Sequence, residues 1–212
     1  MQLALEQLGE RYRWVDVSVL DGTTRTPEFL ARNPNGKVPV LELPDGRFLP
    51  ESNAALFYLA DDASRSSLRE QHDPREQERP RTAQTHQKQD SSLLPTERFE
   101  RAQVLQWMCF EQYSHEPFIA TARFIVRYLG RPAEREADLQ SKMAPGRRAL
   151  AIMDAHLATQ PFFVGGRYSI ADIALFAYTH VADEGGFDLA AYPQVRAWIE
   201  RVRGQPGYVA LG

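Results

Sequence analysis

The chain has 212 residues, of which 43% are hydrophobic and 25% charged, and its formal net charge is -3. This length allows a sizeable core in one large domain or two small ones, and the composition is that of an ordinary globular protein. A charge so close to neutral gives no general attraction to nucleic acid, and no apolar run approaches the ~20 residues that a membrane span needs. We therefore expect neither a nucleic acid nor a membrane as a partner.

The cysteine content and the first residues indicate the compartment. Cys109 is the single cysteine, so no disulfide can form within the chain and a reducing environment is expected. The first residues carry Glu6 inside an apolar stretch and have no basic leader, unlike a secretory signal. We therefore predict a cytoplasmic location. We also predict that Cys109 is packed as a small apolar side chain, because the residues beside it are large and apolar.

The first sixty residues combine helical and extended patterns. MQLALEQLG predicts a helix that ends at Gly9, and the aromatic and β-branched residues of RYRWVDVSV predict a strand. TPEFLARN predicts a short helix, with Thr26 as its N-cap and Pro27 at the first helical position. VPVLEL and RFL predict two strands joined by the turn PDG, and another helix is expected to start near Glu51.

A polar segment then separates two parts of the chain. From residue 61 to residue 92 the sequence contains no Val, Ile, Phe, Tyr, Trp or Met. Such a segment cannot bury enough apolar surface to offset its ordering entropy. We predict a polar linker or insertion at 61–92, between a domain at 1–60 and a domain at 93–212. His72 and His86 lie in this segment without metal-ligand spacing, so we predict no metal site.

The rest of the chain has helical periodicity. A long amphipathic stretch comes first, and the next stretch contains Pro145 and Gly146, which predict a break or a bend. Ser169 and Asp172 have the spacing of a capping box at the start of a third stretch, and a fourth follows. The sequence therefore predicts a small α/β domain, a polar linker and an all-helical domain.

The segment NGKVPVLELPDGRFLPESNAALFYLA combines features that suit a bound ligand. Pro39 removes a donor near the start of a strand, and a cis Val38–Pro39 bond would turn the main chain of Val38 outward, where it can pair with an extended peptide. Glu51 and Ser52 lie at a predicted helix N-terminus, which favours a carboxylate. Lys37 adds a cation for a second carboxylate. Together these groups suit a short extended peptide with an amino-acid head and a far carboxylate, which is the layout of glutathione.

Each of these residues also has a purely structural interpretation. Pro39 is compatible with an ordinary bulge, Ser52 with an ordinary N-cap, and Lys37 with a solvated loop. Their joint occurrence in this order favours the ligand site.

This segment resembles the glutathione-binding segment of the cytosolic, bacterial-type glutathione transferases. GRYSIADIALFAYTHVA and YPQVRAWIERVRGQPG are similar to two helical segments of the same family. The resemblance implies a thioredoxin-like N-terminal domain followed by an all-α glutathione-transferase domain. It also implies that Val38 pairs with the cysteinyl backbone of glutathione beside Pro39, that Glu51 and Ser52 hold the γ-glutamyl end, and that Lys37 approaches the glycyl carboxylate.

The activity implied by the resemblance is conjugation of the thiol of glutathione, as cosubstrate, to small electrophilic substrates, a detoxification reaction. The family also implies a homodimer. Trp107, Tyr113 and Tyr178 are candidates for an apolar cosubstrate pocket, with core packing as the alternative for each. A glutathione-dependent isomerase or peroxidase is an alternative on the same fold.

The resemblance places the activating residue outside this sequence. In the family a Tyr, Ser or Cys after the first strand donates to the sulfur of glutathione, and MQLALEQLG is similar to the latter part of the helix that follows. We therefore expect an incomplete thioredoxin-like domain whose first strand is absent, with the activating residue upstream of Met1 and no catalytic residue in the chain. An upstream start and a truncated variant both explain this. A non-catalytic glutathione-transferase-like binding or assembly protein is accordingly a further alternative.

Overall fold

The computed structural model describes residues 1–61 and 93–210. The chain divides into two compact units, an N-terminal unit (Leu3–Leu94) and a helical unit (Pro95–Gly212). The polar linker predicted at 61–92 lies outside the described residues except for residue 61.

The regular elements of the N-terminal unit are three short helices and one hairpin. They are α1 (Gln2–Leu8), α2 (Pro27–Arg32), β1 (Val40–Glu42), β2 (Phe48–Pro50) and α3 (Ser52–Ala60). Two of the predicted helix ends are confirmed. The Thr26 hydroxyl accepts a hydrogen bond from the Phe29 N–H at 3.3 Å, and Gly9 ends α1 at a φ of 67°. The buried core is built from apolar side chains of all three helices, among them Leu3, Leu5, Phe29, Leu56 and Leu59.

The strand predicted for RYRWVDVSV does not form. Residues 11–18 have no regular secondary structure, and Trp14 and Val15 are exposed. Within the described part of the chain, the backbone of residues 11–18 makes no backbone–backbone hydrogen bond. Strand propensity expresses how well side chains fit a pleated, half-buried surface, so it has no effect without a neighbouring strand. The prediction is wrong for that reason.

The helical unit contains no strand among its described residues. Its helices are α4 (Arg98–Phe110), α5 (Glu116–Arg123), α6 (Glu136–Leu157), α7 (Ile170–Thr179) and α8 (Pro193–Arg203). Wider π-helical turns at Glu111–His115 and Phe124–Tyr128 flank α5, and three single 3-10 turns lie at Ala133–Arg135, Ala182–Gly185 and Leu189–Ala191. Helix α6 packs against α5 and α8. None of the helices described is long and apolar enough to cross a membrane.

The predicted capping box of α7 is confirmed, and it extends further than the sequence indicated. The fully buried Asp172 carboxylate accepts hydrogen bonds from the Ser169 N–H at 3.0 Å, the Phe163 N–H at 3.2 Å and the Trp198 indole at 2.9 Å. Burial raises the pKa of Asp172 to about 6, although these donors act in the opposite direction. One carboxylate therefore connects the start of α7, the preceding loop and α8.

The predicted packing of Cys109 is wrong, and of the break or bend predicted at Pro145 and Gly146 the structure excludes the break. Helix α6 runs through Pro145 without a break, because the face that contains Gly146 is buried. Proline inside a helix costs about 3 kcal/mol, and burying one large apolar side chain gains about 1.5–3 kcal/mol. Several such side chains lie on this face, namely Leu139, Leu150, Met153 and Leu157. Cys109, expected to be packed, is exposed, since α4 turns Trp107 and Met108 inward and leaves Leu105 and Cys109 on its outer side.

Gly146 provides a test of this packing. A Cβ atom at Gly146 would lie 2.5 Å from the ring of Phe187, which is itself buried. We expect Gly146→Ala to lower the free energy of unfolding by about 1–3 kcal/mol through overpacking, measured by urea denaturation. The control is Gly204→Ala, whose Cβ would meet a carbonyl oxygen at an ordinary 3.5 Å. A Gly146→Ala variant as stable as the wild type would contradict this packing.

Candidate functional site

The β1–β2 hairpin brings the two predicted ligand-binding segments side by side. The strands pair antiparallel, with Val40 opposite Pro50 and Glu42 opposite Phe48. In an antiparallel pair, each step back along one strand corresponds to a step forward along the other. The pairing ends at Val40 and Pro50, so Val38 lies two residues before this end of the hairpin and Ser52 two residues after it.

The main chain of Val38 is available to a ligand. The Val38–Pro39 peptide bond is cis, as predicted, and β1 begins one residue after Pro39. The Val38 side chain is partly exposed, and neither its N–H nor its C=O forms a hydrogen bond with another residue of the described ranges. One donor and one acceptor of an extended backbone are therefore free beside the hairpin, as the strand-addition interpretation requires.

Glu51 and Ser52 form the start of α3. Glu51 occupies the N-cap position with φ 71° and ψ 115°, a conformation that residues with a Cβ rarely adopt. Its carbonyl accepts the Ala55 N–H at 3.0 Å, but its carboxylate does not cap the helix. Non-glycine residues in sparsely populated backbone regions cost about 1–3 kcal/mol and concentrate at ligand sites. The sequence pattern identified Glu51 as a candidate but gave no sign of this strain.

The loop before Val38 is held by a residue that the sequence analysis missed. Asn33 is 2% exposed and donates its side-chain N–H to the Lys37 carbonyl at 2.7 Å. Its side-chain oxygen accepts the Asn35 N–H at 3.0 Å. The Asn33–Pro34 pair was an available signal, because Asn before Pro favours a turn. Lys37 itself is exposed, so its ammonium group faces solvent at the edge of this loop.

These groups define what the site can bind. It offers a cation at Lys37, a free backbone donor and acceptor at Val38, and a hydroxyl beside the first N–H groups of a helix at Ser52. A helix N-terminus carries a partial positive charge and unpaired N–H groups, which favour a carboxylate. The arrangement suits an extended ligand with a carboxylate at each end and an amide between them.

The three aromatic residues proposed for a cosubstrate pocket lie in different surroundings. Trp107 is 8% exposed and packs on Phe163, with 4.6 Å between ring centroids, whereas Tyr113 is 80% exposed. Burial raises the pKa of Tyr178, and the carboxylates of Glu116 and Glu111 raise it further. Across the described residues, no ring contact joins any two of the three candidates. Among the same residues, no group of three or more His, Cys, Asp or Glu side chains could hold a metal ion.

Two family models match the chain. The model of the glutathione S-transferase N-terminal domain matches residues 1–62, and the model of the glutathione S-transferase C-terminal domain matches residues 107–206. The structure of a glutathione S-transferase from Pseudomonas fluorescens Pf-5 is similar over 99% of this chain and 90% of its own, at 48% identity and a TM-score of 0.84. The chain belongs to the glutathione S-transferase family, and its two-stranded N-terminal unit followed by an all-helical unit fits the fold of that family.

Two more distant relatives bear on ligand and role. A glutathione transferase family member from Pseudomonas fluorescens Pf-5, whose structure contains two bound glutathione molecules, is 26% identical over 97% of this chain and 83% of its own, with a TM-score of 0.72. Elongation factor 1-gamma from Equus caballus is 30% identical over 89% of this chain. The chain spans only 37% of the length of that factor.

The strain at Glu51 predicts an unusual response to substitution. Glycine adopts a positive φ without steric cost but loses about 0.5–1 kcal/mol through the entropy of the unfolded chain. We therefore expect Glu51→Gly to raise the free energy of unfolding, by up to about 2 kcal/mol. Glu42→Gly is the matched control, since Glu42 is an exposed residue of β1 whose φ is not positive. We expect the Glu42→Gly variant to have a lower free energy of unfolding than the wild type. Urea denaturation of both variants measures whether the two changes in the free energy of unfolding have opposite signs. A lower free energy of unfolding in both variants would contradict the predicted strain at Glu51.

Proposed function

We propose that the chain binds glutathione along the segment from Lys37 to Ser52 and conjugates its thiol to small electrophilic substrates. The observation that supports the proposal is that the hairpin pairs Val40 with Pro50, so the free main chain of Val38 and the start of α3 at Ser52 both lie two residues from the same end of the hairpin. Membership of the glutathione S-transferase family supports the same ligand.

Each group of the site has a matching group on glutathione. The Val38 N–H and C=O pair with the backbone of the cysteinyl residue, as an added strand would. The γ-glutamyl carboxylate accepts from the Ser52 hydroxyl and the first N–H groups of α3, and the Glu51 carboxylate accepts from the γ-glutamyl ammonium. Lys37 attracts the glycyl carboxylate. The relative crystallised with glutathione supports this choice of ligand.

The wider organisation belongs to the same proposal. We propose a thioredoxin-like domain at 1–60, a linker at 61–92 and a helical domain at 93–212, acting in detoxification in the cytoplasm. We also propose a homodimer, which is supported by the apolar side chains of Phe99 and Leu105 that α4 exposes. Trp107, Tyr113 and Tyr178 remain candidates for contacts with the electrophile.

A second candidate function is glutathione binding or assembly without catalysis. It is favoured by the similarity to elongation factor 1-gamma, whose name denotes a translation factor rather than a transferase. Both candidate functions predict glutathione binding, but only the transferase predicts catalysed conjugation of glutathione.

The contribution of individual contacts gives a first test. Ser52 acts at a helix N-terminus on a charged group, where a hydrogen bond contributes about 1.5–3 kcal/mol, whereas the exposed Lys37 forms a surface ion pair worth about 0–1 kcal/mol. We therefore expect Ser52→Ala to raise the Kd for glutathione roughly tenfold to hundredfold and Lys37→Ala at most about fivefold. Raising the salt concentration should weaken the wild type and Ser52→Ala, which keep Lys37, more than Lys37→Ala.

Isothermal titration of glutathione into the wild type and both variants measures these values. Equal losses, or a larger loss for Lys37→Ala, would show that the contacts have been ranked wrongly. A wild type that does not bind glutathione would overturn the proposed function itself.

Turnover separates the two candidate functions. We expect conjugation of glutathione to a chromogenic aryl halide by a form of the chain extended upstream that supplies a Tyr, Ser or Cys to the sulfur, because a thiol of pKa near 8.5 is only a few per cent ionised at pH 7. The 212-residue chain serves as the comparison. Glutathione binding without conjugation in either form would favour the non-catalytic function, and a panel of isomerase and peroxidase substrates would reveal those activities.

A further inference from the structure

We infer that Asn33 is a positioning residue that sets the direction of the Val38 N–H by holding the peptide plane between Lys37 and Val38. The consequence for glutathione rests on the proposed function, whereas the consequence for the loop does not.

Asn33 is built into the loop through all of its polar groups. Its backbone N–H donates to the Phe29 carbonyl at 2.9 Å, which attaches it to α2, and its carbonyl accepts the Gly36 N–H at 2.9 Å. The side-chain amide bridges the loop, with its oxygen bound to the Asn35 N–H and its nitrogen bound to the Lys37 carbonyl. Since the side chain is buried, water does not compete for these bonds.

The contact with Lys37 determines where Val38 points. The Lys37 carbonyl and the Val38 N–H belong to one planar peptide unit, and in a trans unit they point in opposite directions. Of the peptide bonds in the described residues, Val38–Pro39 alone is cis, so the Lys37–Val38 bond is trans. Because Asn33 draws the carbonyl inward at 2.7 Å, the Val38 N–H points away from the interior.

Arg25 holds the same loop through a second contact. The Arg25 guanidinium donates to the Asn35 carbonyl at 3.1 Å and lies where a Cβ of Gly36 would be. Gly36 adopts a φ of 63°, which lets the chain turn between these two groups. With the loop held in this way, the Asn33 bond to the Lys37 carbonyl fixes the Lys37–Val38 peptide plane before any ligand arrives, and the donor of Val38 is pre-organised for an incoming backbone carbonyl.

Asn33→Asp isolates this contact. The aspartate keeps an acceptor for the Asn35 N–H but cannot donate to the Lys37 carbonyl. Thr26→Ala is the matched control, because it also removes a side-chain hydrogen bond to the backbone of the N-terminal unit, at the N-cap of α2. If Asn33→Asp does not fold, Asn33→Ser, which is too short to reach Lys37, takes its place.

Two measurements test the inference at a temperature where each variant is folded. Without ligand, the {1H}-15N heteronuclear NOE of the Val38 amide should fall in Asn33→Asp and stay at the wild-type value in Thr26→Ala. With glutathione as the titrant, the Kd should rise roughly tenfold in Asn33→Asp and remain within about twofold in Thr26→Ala.

The outcomes separate the two proposals. An unchanged Val38 NOE in Asn33→Asp overturns the inference, as does an unchanged Kd in a wild type that binds glutathione. Equal increases in Kd for Asn33→Asp and Thr26→Ala would also overturn it, since they would reflect general destabilisation. If the wild type does not bind glutathione, the proposed function fails, and the NOE alone decides whether Asn33 holds the loop.

Discussion

The candidate site depends on the register of a hairpin with three residue pairs. The turn that sets it is closed by the Leu43 N–H bonded to the Arg47 carbonyl at 2.8 Å and by Asp45, which accepts the Arg47 N–H at 3.1 Å. Gly46 supplies the positive φ that the turn needs, at 84°. A slip of one residue would move every side chain of a strand to the other face and would change which residues precede and follow the paired end at Val40 and Pro50. The chemistry of a polar turn therefore fixes the geometry of a site several residues away.

Local chemistry made several features of the fold predictable from the sequence. The Asp-Gly turn, the Thr26 N-cap followed by proline, and the box formed by Ser169 and Asp172 each depend on residues close together in the chain. The same holds for the candidate site, whose members lie in two short segments joined by the hairpin. Their residue types indicated a peptide-like ligand, and the strand pairing explains why they converge.

Features that depend on distant partners were not predictable. The continuity of α6 at Pro145 is set by burial against the rest of the helical unit. The strand propensity of residues 11–18 was outweighed by the lack of a pairing neighbour, which the resemblance had already implied. The exposure of Cys109 follows from which side of α4 is buried, and neighbours in sequence do not determine that. The strain of Glu51 and the bridging role of Asn33 are properties of the folded backbone, which no composition or spacing expresses.

Because of where the three tryptophans lie, unfolding of the two units changes the intrinsic fluorescence of the protein to different extents. Trp14 is 56% exposed in the N-terminal unit, whereas Trp107 and Trp198 are buried in the helical unit. An indole that already contacts water changes its emission little when the chain around it opens. The intensity and wavelength of intrinsic emission therefore report on the helical unit, where Trp198 loses both its apolar surroundings and the carboxylate of Asp172 on unfolding. Opening of the N-terminal unit, which carries the candidate glutathione site, therefore changes tryptophan emission very little.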